Sequence, residues 1–331
     1  METVQRMNGG IASTPIVLRP MGLGEILDLA FRLYRKNFIT LIGIAAIVNL
    51  PLLFLQAIAA FLALPADFSA LSRTPGNFNS YSGLLIFYGA YVIISLITVI
   101  ANVFEAGAMA AAVSARYLGR DITIKQAYGQ SLRKWFRLLV ASILVGLISL
   151  IFVAPIILFV AVSVFGSFIG DQAASAFAAI ASLCMCLGMI VLLPVWIYLM
   201  IRFSFYSQAI VLENLGTRTG LARSWRLVKN SFLRVLGIVV LLAILVYILT
   251  VVPALLIQFA VTALAPTSFA LTTIASSASN IIISILISPI QLAVMTLLYY
   301  DLRIRKEGFD LQFQMQQSDS TLPLVALTGN L

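Results

Sequence analysis

The sequence predicts an all-α membrane protein with six transmembrane helices, arranged as three parallel pseudo-repeats of an amphipathic helix plus a helical hairpin. Three observations carry this. The 331-residue chain is 61% hydrophobic and 10% charged, against about 25% charged residues in soluble domains. Its mean hydropathy is +1.06. Long windows free of charge recur along it, at 37–66, 74–104, 138–170, 172–201 and 235–300. A helix needs roughly 20 apolar residues to cross a hydrocarbon core about 30 Å thick, so each of the first four windows accommodates one span. The last accommodates two, with "LAPTS" around Pro266 as the turn. The expected spans are 39–64, 84–112, 138–165, 178–203, 235–260 and 275–300.

Residues 1–18 are expected to be an N-terminal cytoplasmic tail, 19–311 the membrane domain, and 312–331 a disordered cytoplasmic tail, uncharged but for Asp319. Residues 1–38 show no apolar stretch followed by a small-residue cleavage site, the pattern of a signal peptide. Orientation follows from basic residues, which are retained on the cytoplasmic side. Of the 21 Lys and Arg residues, 19 fall in segments on one side of the predicted topology, Arg73 falls on the other, and Arg202 lies within a span. Both termini are therefore expected in the cytoplasm and the protein in the cytoplasmic (inner) cell membrane. The basic surface there would meet anionic lipid headgroups. With no separate basic polar domain, nucleic acid is not an expected partner.

A short amphipathic segment precedes each odd-numbered span: "EILDLAFRLYRKNF" (25–38), "KQAYGQSLRKWF" (125–136) and "LARSWRLVKNSF" (221–232). Each ends on an aromatic residue with a basic residue three positions earlier, and each following span contains a proline (Pro51, Pro155, Pro253). Pro194 and Pro289 also lie inside spans, where proline kinks a helix or frees backbone groups. In the first segment Glu25, Asp28, Arg32, Arg35 and Lys36 share one helical face, and Leu23, Ile26, Leu27, Ala30, Leu33 and Tyr34 the other. This helix either lies in the membrane interface or packs on the cytoplasmic end of the bundle. The even spans end alike, in "RYLG" (116–119), "ENLG" (213–216) and, less closely, "RKEG" (305–308).

Three stretches carry a family resemblance: "LRPMGLGEILDLAFRLYRKNF" (18–38), "VLENLGTRTGLARSWRLVKNSFLRVLG" (211–237) and "LLYYDLRIRKEGFDL" (297–311). Together they resemble the membrane domain first described attached to glycerophosphoryl diester phosphodiesterases, a family of mostly stand-alone bacterial and archaeal multi-pass proteins. The resemblance covers roughly residues 18–311 and implies a multi-pass membrane protein. The catalytic phosphodiesterase barrel is absent from this sequence.

Enzymes of that phosphodiesterase class use histidine with carboxylates around a metal, and this chain has no histidine. It also lacks a G-x-S-x-G elbow, and its lysines sit among other positive charges. No catalytic residue, cofactor or metal site is predicted. Cys184 and Cys186 in "SLCMCLGM" lack further soft ligands and are expected to be buried apolar cysteines.

The charges placed within spans are Glu105 in "NVFEAGAMA" and Arg202 in "YLMIRFSFY". Each precedes its Leu-Gly pair by the same count, so continuous helices would set both about 21 Å from those glycines. They would then form an intramembrane polar pair. It is either a structural bridge or a proton- or anion-responsive site, with Asn49, Asn102 and Gln291 as polar neighbours. Gly107, Ala111 and Ala115, flanked by Ala106, Ala110 and Ser114, mark a helix-docking face. The cluster from Asp301 to Asp310 ends the last span. Asp301–Arg305 is expected as a local pair, and Asp301, Arg303, Arg305, Arg32, Arg35 and Lys36 as an interfacial or docking surface.

The role these features suggest is non-enzymatic, a membrane domain that organises lipids or partner proteins, itself a homo-oligomer or bound to other membrane proteins. The second reading is a small-solute or lipid transporter centred on Glu105 and Arg202. A transporter needs a continuous polar path, and along the sequence the polar residues of the spans are few and scattered.

Overall fold

Each amphipathic segment folds as a short helix that stops one or two residues before a long apolar one. In the computed structural model of the protein, which describes residues 19–62, 78–167, 171–264, 269–309, 311–312 and 315, these pairs are α1 (Leu23–Lys36) with α2 (Phe38–Leu62), α4 (Ile124–Leu132) with α5 (Trp135–Ser167), and α8 (Thr217–Lys229) with α9 (Phe232–Leu264). The other helices are α3 (Phe78–Tyr117), α6 (Asp171–Phe203), α7 (Tyr206–Leu212) and α10 (Phe269–Glu307). Local chemistry sets the breaks. The Glu25 carboxylate caps the Gly22 N–H at 2.8 Å, and Thr123 and Gln126 form a reciprocal capping box ahead of α4. Asn37 ends α1 by donating its side-chain amide to the Leu33 carbonyl.

All the described helices and turns form an α-helical structure without strands among the described residues. Among the described residues, five stretches are long and apolar enough to cross a membrane: Phe38–Ile58, Val92–Tyr117, Ala179–Leu212, Phe232–Val261 and Ala278–Glu307. The helix expected as the third span, α5, contributes a shorter apolar stretch, Trp135–Leu150. All five prolines expected within spans lie inside helices. The turn at Pro266, the N-terminal tail and nearly all of the C-terminal tail lie outside the described residues.

The long helices form a ring in chain order. α2 packs on α3, α3 on α5, α5 on α6, α6 on α9, α9 on α10, and α10 returns to α2. α10 also touches α3, α1 and α8. It is the buried hub. Some 61% of its apolar window is buried, against 6% for Ala179–Leu212. Lipid replaces water as the solvent of the outward faces, so Val92, Leu96, Leu183, Leu187, Leu255 and Phe259 stand exposed. Cys184 and Cys186 are exposed as well. The expectation of buried cysteines is corrected: they sit on a peripheral helix that few neighbours cover.

The segments rich in basic residues gather at one end of the ring. There α1 packs against α10 through Ile26, Ala30 and Tyr34, all buried. Met21 N–H donates to Asp301 Oδ1 at 2.8 Å, and Tyr34 donates its hydroxyl to the Leu286 carbonyl at 3.0 Å. The two contacts are about 20 Å apart along either helix, so α1 runs antiparallel to α10. Of the two placements expected for α1, this is packing on the bundle. Pro289 removes an intrahelical donor from the turn that Tyr34 reaches. Burial pushes the Tyr34 hydroxyl above its ordinary pKa.

Of the residues expected as a docking surface at the end of α10, Asp301 is buried and Arg303 partly buried, both in ion pairs within the chain, while Arg305 is exposed. Asp301 is 0% exposed. It receives Met21 N–H, Arg234 Nε at 3.0 Å and Arg305 Nε at 3.1 Å, the last being the expected local pair. Glu213, after α7, receives Arg223 at 2.9 Å, Arg303 at 3.3 Å and the Tyr299 hydroxyl. Glu307 receives Arg223 and Arg303. Hydrogen bonds to Glu307 and then Glu213 raise the pKa of the Arg223 guanidinium. Lys134 and Lys306 donate to the Val211 and Leu227 carbonyls in the last turns of α7 and α8. By contrast Arg32, Arg35 and Lys36 are exposed on the outer face of α1.

The small-residue face of α3 is used for docking, as expected. Gly107 lies so close to Ser131 of α4 and Leu138 of α5 that a Cβ there would collide. Ala111 packs with Leu138, Ala141 and Ile210, and on the adjacent row Ser114 shares a 2.6 Å hydrogen bond with Tyr300.

Removing the Asp301 carboxylate strands two guanidiniums and one N–H. Asp301→Ala is expected to cost about 3–5 kcal/mol, read as a large loss of thermal stability in detergent. Arg32→Ala, on the open face, is expected to stay within about 0.5 kcal/mol of the parent.

Candidate functional site

Three neighbouring helices each carry a polar stripe at helical spacing. On α10 it is Asn280, Ser284, Ser288 and Gln291, on α3 Thr98, Asn102 and Glu105, and on α2 Asn49 and Gln56 with Leu52 between them. Steps of three and four residues stay on one helical face. The contacts of α10 with α2 and α3 then turn all three faces inward. They line a half-open cavity of about 610 Å³, with Ala106, Ile281 and Leu292 completing its wall.

Glu105 sits at the base of this cavity, 4% exposed. Its carboxylate receives the Asn49 side-chain amide at 3.0 Å and the Ser288 hydroxyl at 2.5 Å. Asn49 spends its second N–H on the Ala45 carbonyl at 2.9 Å. Among the described residues, no Lys or Arg lines the cavity. The side chains of Asn102, Asn280, Ser284, Gln56 and Gln291 have no hydrogen-bond partner among the described residues. Within a membrane bundle such groups face a wet cavity or a ligand, because hydrocarbon offers no partner. Below the cavity, Tyr128 of α4 donates to the Ile44 carbonyl at 2.7 Å. Burial first, and the Glu105 charge second, raise its pKa.

Asn49, Asn102 and Gln291, expected beside Glu105, all line this cavity. Arg202 does not, and the expected pair with Glu105 is corrected. The Arg202 guanidinium lies 4.9 Å from the Tyr198 ring centroid and 4.8 Å from that of Trp225. It donates to the Tyr198 hydroxyl at 2.6 Å and the Trp225 carbonyl at 3.3 Å. Ser224 donates to the Arg202 carbonyl and accepts Phe205 N–H, closing the break between α6 and α7. Arg202 therefore fastens α8 to the end of α6 by cation–π and hydrogen-bond contacts. The equal counts to Gly119 and Gly216 mislead for a physical reason. Gly119 terminates α3 at φ 71°, whereas α6 has already broken before Gly216, which begins α8 at φ −74°.

Ser284, Ser288, Asn280, Gln56 and Thr98 were not singled out from the sequence. Their signal is present in "SNIIISILISPIQ", where 280, 284, 288 and 291 recur at the helical period.

A second cavity of about 560 Å³ lies between α6, α9 and α10. Its wall is mainly apolar, with Met200, Ile201, Val239, Leu242, Ala243, Val246 and Met295. Gln291 borders both cavities. Among the described residues no cluster of three or more His, Cys, Asp or Glu side chains has the arrangement of a metal site.

Glu105 and Arg202 share no partner, so their effects should be independent. Glu105→Gln and Arg202→Leu are expected to change unfolding stability additively, within about 0.5 kcal/mol, when combined. Partial recovery in the double variant, in a denaturant titration, would restore a direct pair.

The comparisons with known proteins match this architecture to one family. No curated protein and no solved structure matches the chain. A family model matches residues 21–302, from the Met21 that bonds Asp301 to the residue after that aspartate. The chain belongs to the family described as a domain of unknown function, DUF7847.

Proposed function

We propose that this protein is a non-enzymatic carrier of the cytoplasmic membrane that admits a polar or amphipathic solute into the cavity at Glu105. The observation that carries the reading is the convergence of three polar stripes on one cavity, with amide and hydroxyl groups left unpartnered there. Polar side chains in a membrane bundle mark a pathway or binding site by default. The cavity volume lies within the range of small-molecule pockets. The residues that looked scattered along the sequence share one space.

In this reading α5 supplies the sixth span, and the three pairs of short and long helices are three pseudo-repeats with both termini inside. The gathering of basic segments at one end of the ring supports that orientation. The non-enzymatic part rests on the lack of histidine and on the carboxylates of Asp301, Glu213 and Glu307, which are spent on ion pairs. The likeness to the glycerophosphoryl diester phosphodiesterase membrane domain is consistent with a role beside lipids. A second reading, a domain that organises lipids or partner proteins, is favoured by the exposed Arg32, Arg35 and Lys36, which suit anionic headgroups.

Thiol accessibility separates the two. With Cys184 and Cys186 replaced by serine, Ser284→Cys in proteoliposomes should react with a membrane-impermeant methanethiosulfonate. Normalised to free thiol, the trimethylammonium reagent should be favoured over the sulfonate about ten-fold, the ratio of a ~1.4 kcal/mol electrostatic preference. Glu105→Gln should remove that bias. An inert Ser284→Cys would mean a filled, dry cavity, and the organising role would replace the carrier.

A further inference from the structure

The two cavities meet at a single side chain, and they differ in chemistry. The first is polar, and its described lining carries one carboxylate and no cation. Its Glu105 is held by neutral donors, Asn49 and Ser288, whereas Asp301, Glu213 and Glu307 at the end of α10 each receive a guanidinium. A buried carboxylate without a countercharge takes up a proton or a cation, and a cationic ligand can displace the proton. The second cavity is apolar and narrow in polar content, with Ser204 and Thr250 at its edges. Along α10, Ser288, Gln291 and Met295 follow at steps of three and four on one face, so the wall passes from acidic to apolar within about 10 Å. Gln291, unpartnered and on both walls, is the joint.

From this arrangement we infer that the ligand is a single-chain amphiphile with a cationic nitrogen headgroup. The head lies against Glu105, with Asn102 and Ser284 to hydrate or bond it, and the chain passes Gln291 into the groove between α6, α9 and α10. The inference rests on the carrier reading of the Glu105 cavity and names its substrate class. The two cavities are of similar volume, about 610 and 560 Å³, each within the range of known ligand pockets. A purely polar solute would leave the second cavity without a role. An anionic amphiphile would set like charge against an ionised Glu105, and a neutral one would leave only a proton to neutralise it.

Protection of Ser284→Cys from the trimethylammonium methanethiosulfonate, in the cysteine-replaced full chain in proteoliposomes, tests this. The probes are tetramethylammonium, octyltrimethylammonium and octyl sulfate. Burying each methylene is worth about four-fold, so octyltrimethylammonium should protect at a concentration at least about a hundred-fold below tetramethylammonium. Because bilayer partitioning also favours the longer chain, the deciding variant is Ala243→Trp, which fills the apolar cavity. It should weaken protection by octyltrimethylammonium about ten-fold or more and leave tetramethylammonium unchanged. That unchanged value also shows that the variant folds; Val246→Phe takes its place if it does not. Octyl sulfate should not protect. Undiminished protection by both cations in both blocking variants would leave a small-cation site and overturn the amphiphile, with the carrier reading intact. Protection by octyl sulfate as strong as by its cationic counterpart would overturn the cationic head. A Ser284→Cys thiol that no reagent reaches would sink this inference together with the carrier on which it rests.

Discussion

The structure depends on how α10 is held, and Asp301 holds it. This carboxylate is wholly removed from solvent and joins Met21, Arg234 and Arg305. It brings the start of α1, the start of α9 and the end of the last helix to one point, across as many as 280 residues of sequence. Glu213 and Glu307 make a second clamp through Arg223 and Arg303. Two clamps on one helix end fix its position and also its rotation. Rotation matters because Asn280, Ser284, Ser288 and Gln291 occupy one stripe. A turn of about 100°, one residue's worth, would swing that stripe from the cavity toward apolar neighbours.

Desolvation makes this arrangement specific. In a bilayer, apolar side chains gain little by leaving lipid for a helix interface, so close packing and polar bonds decide which helices meet. Gly107 allows α3 to approach α4 and α5 closely, and Ser114 bonds Tyr300 on the side facing α10. Glu105 bonds Asn49 on α2 and Ser288 on α10, so one carboxylate ties three helices together. The same residue therefore closes the base of the cavity and supplies its charge. Buried ionic clamps lie at the end of the bundle, where their guanidinium partners reach them. Glu105, buried and without an ion-pair partner among the described residues, lies at the cavity.

Much of the fold was legible in the sequence, because both helix breaks and apolar windows leave local signals. Asn37, Thr123 with Gln126, and Gly216 mark helix boundaries by capping chemistry, and the five prolines fall inside helices where apolar length alone placed them. The neighbours of Glu105 were legible too, since Asn49, Asn102 and Gln291 are polar residues at similar depth in their spans. What failed was inference across helices. Arg202 was paired with Glu105 by counting along chains assumed continuous, yet α6 breaks at Ser204 and Phe205 and turns Arg202 toward Trp225. Asp301 looked like an exposed stop because charge density is local information. Its partners Met21 and Arg234 are remote in sequence, and no periodicity reveals them. Cys184 and Cys186 looked buried because an apolar window does not say whether lipid or protein surrounds it.

Pro289 gives the last connection between the clamp and the cavity. It stands between Ser288 and Gln291, within the part of α10 that lines the polar cavity, and ten residues before Tyr299, where the clamp begins. With its missing N–H, the helix has fewer backbone bonds at this turn than above or below it. The Tyr34 hydroxyl, carried by α1, reaches the Leu286 carbonyl there. The setting of the cavity stripe thus relies on a side chain from the amphipathic helix as well as on the backbone of α10. This explains why α1 packs along α10 rather than lying free on the membrane surface: Met21 at one end fixes the clamp, and Tyr34 at the other supports the turn beneath Ser284 and Asn280. The first helix of the family's matched region braces the last one along its length, and the cavity sits where that brace ends.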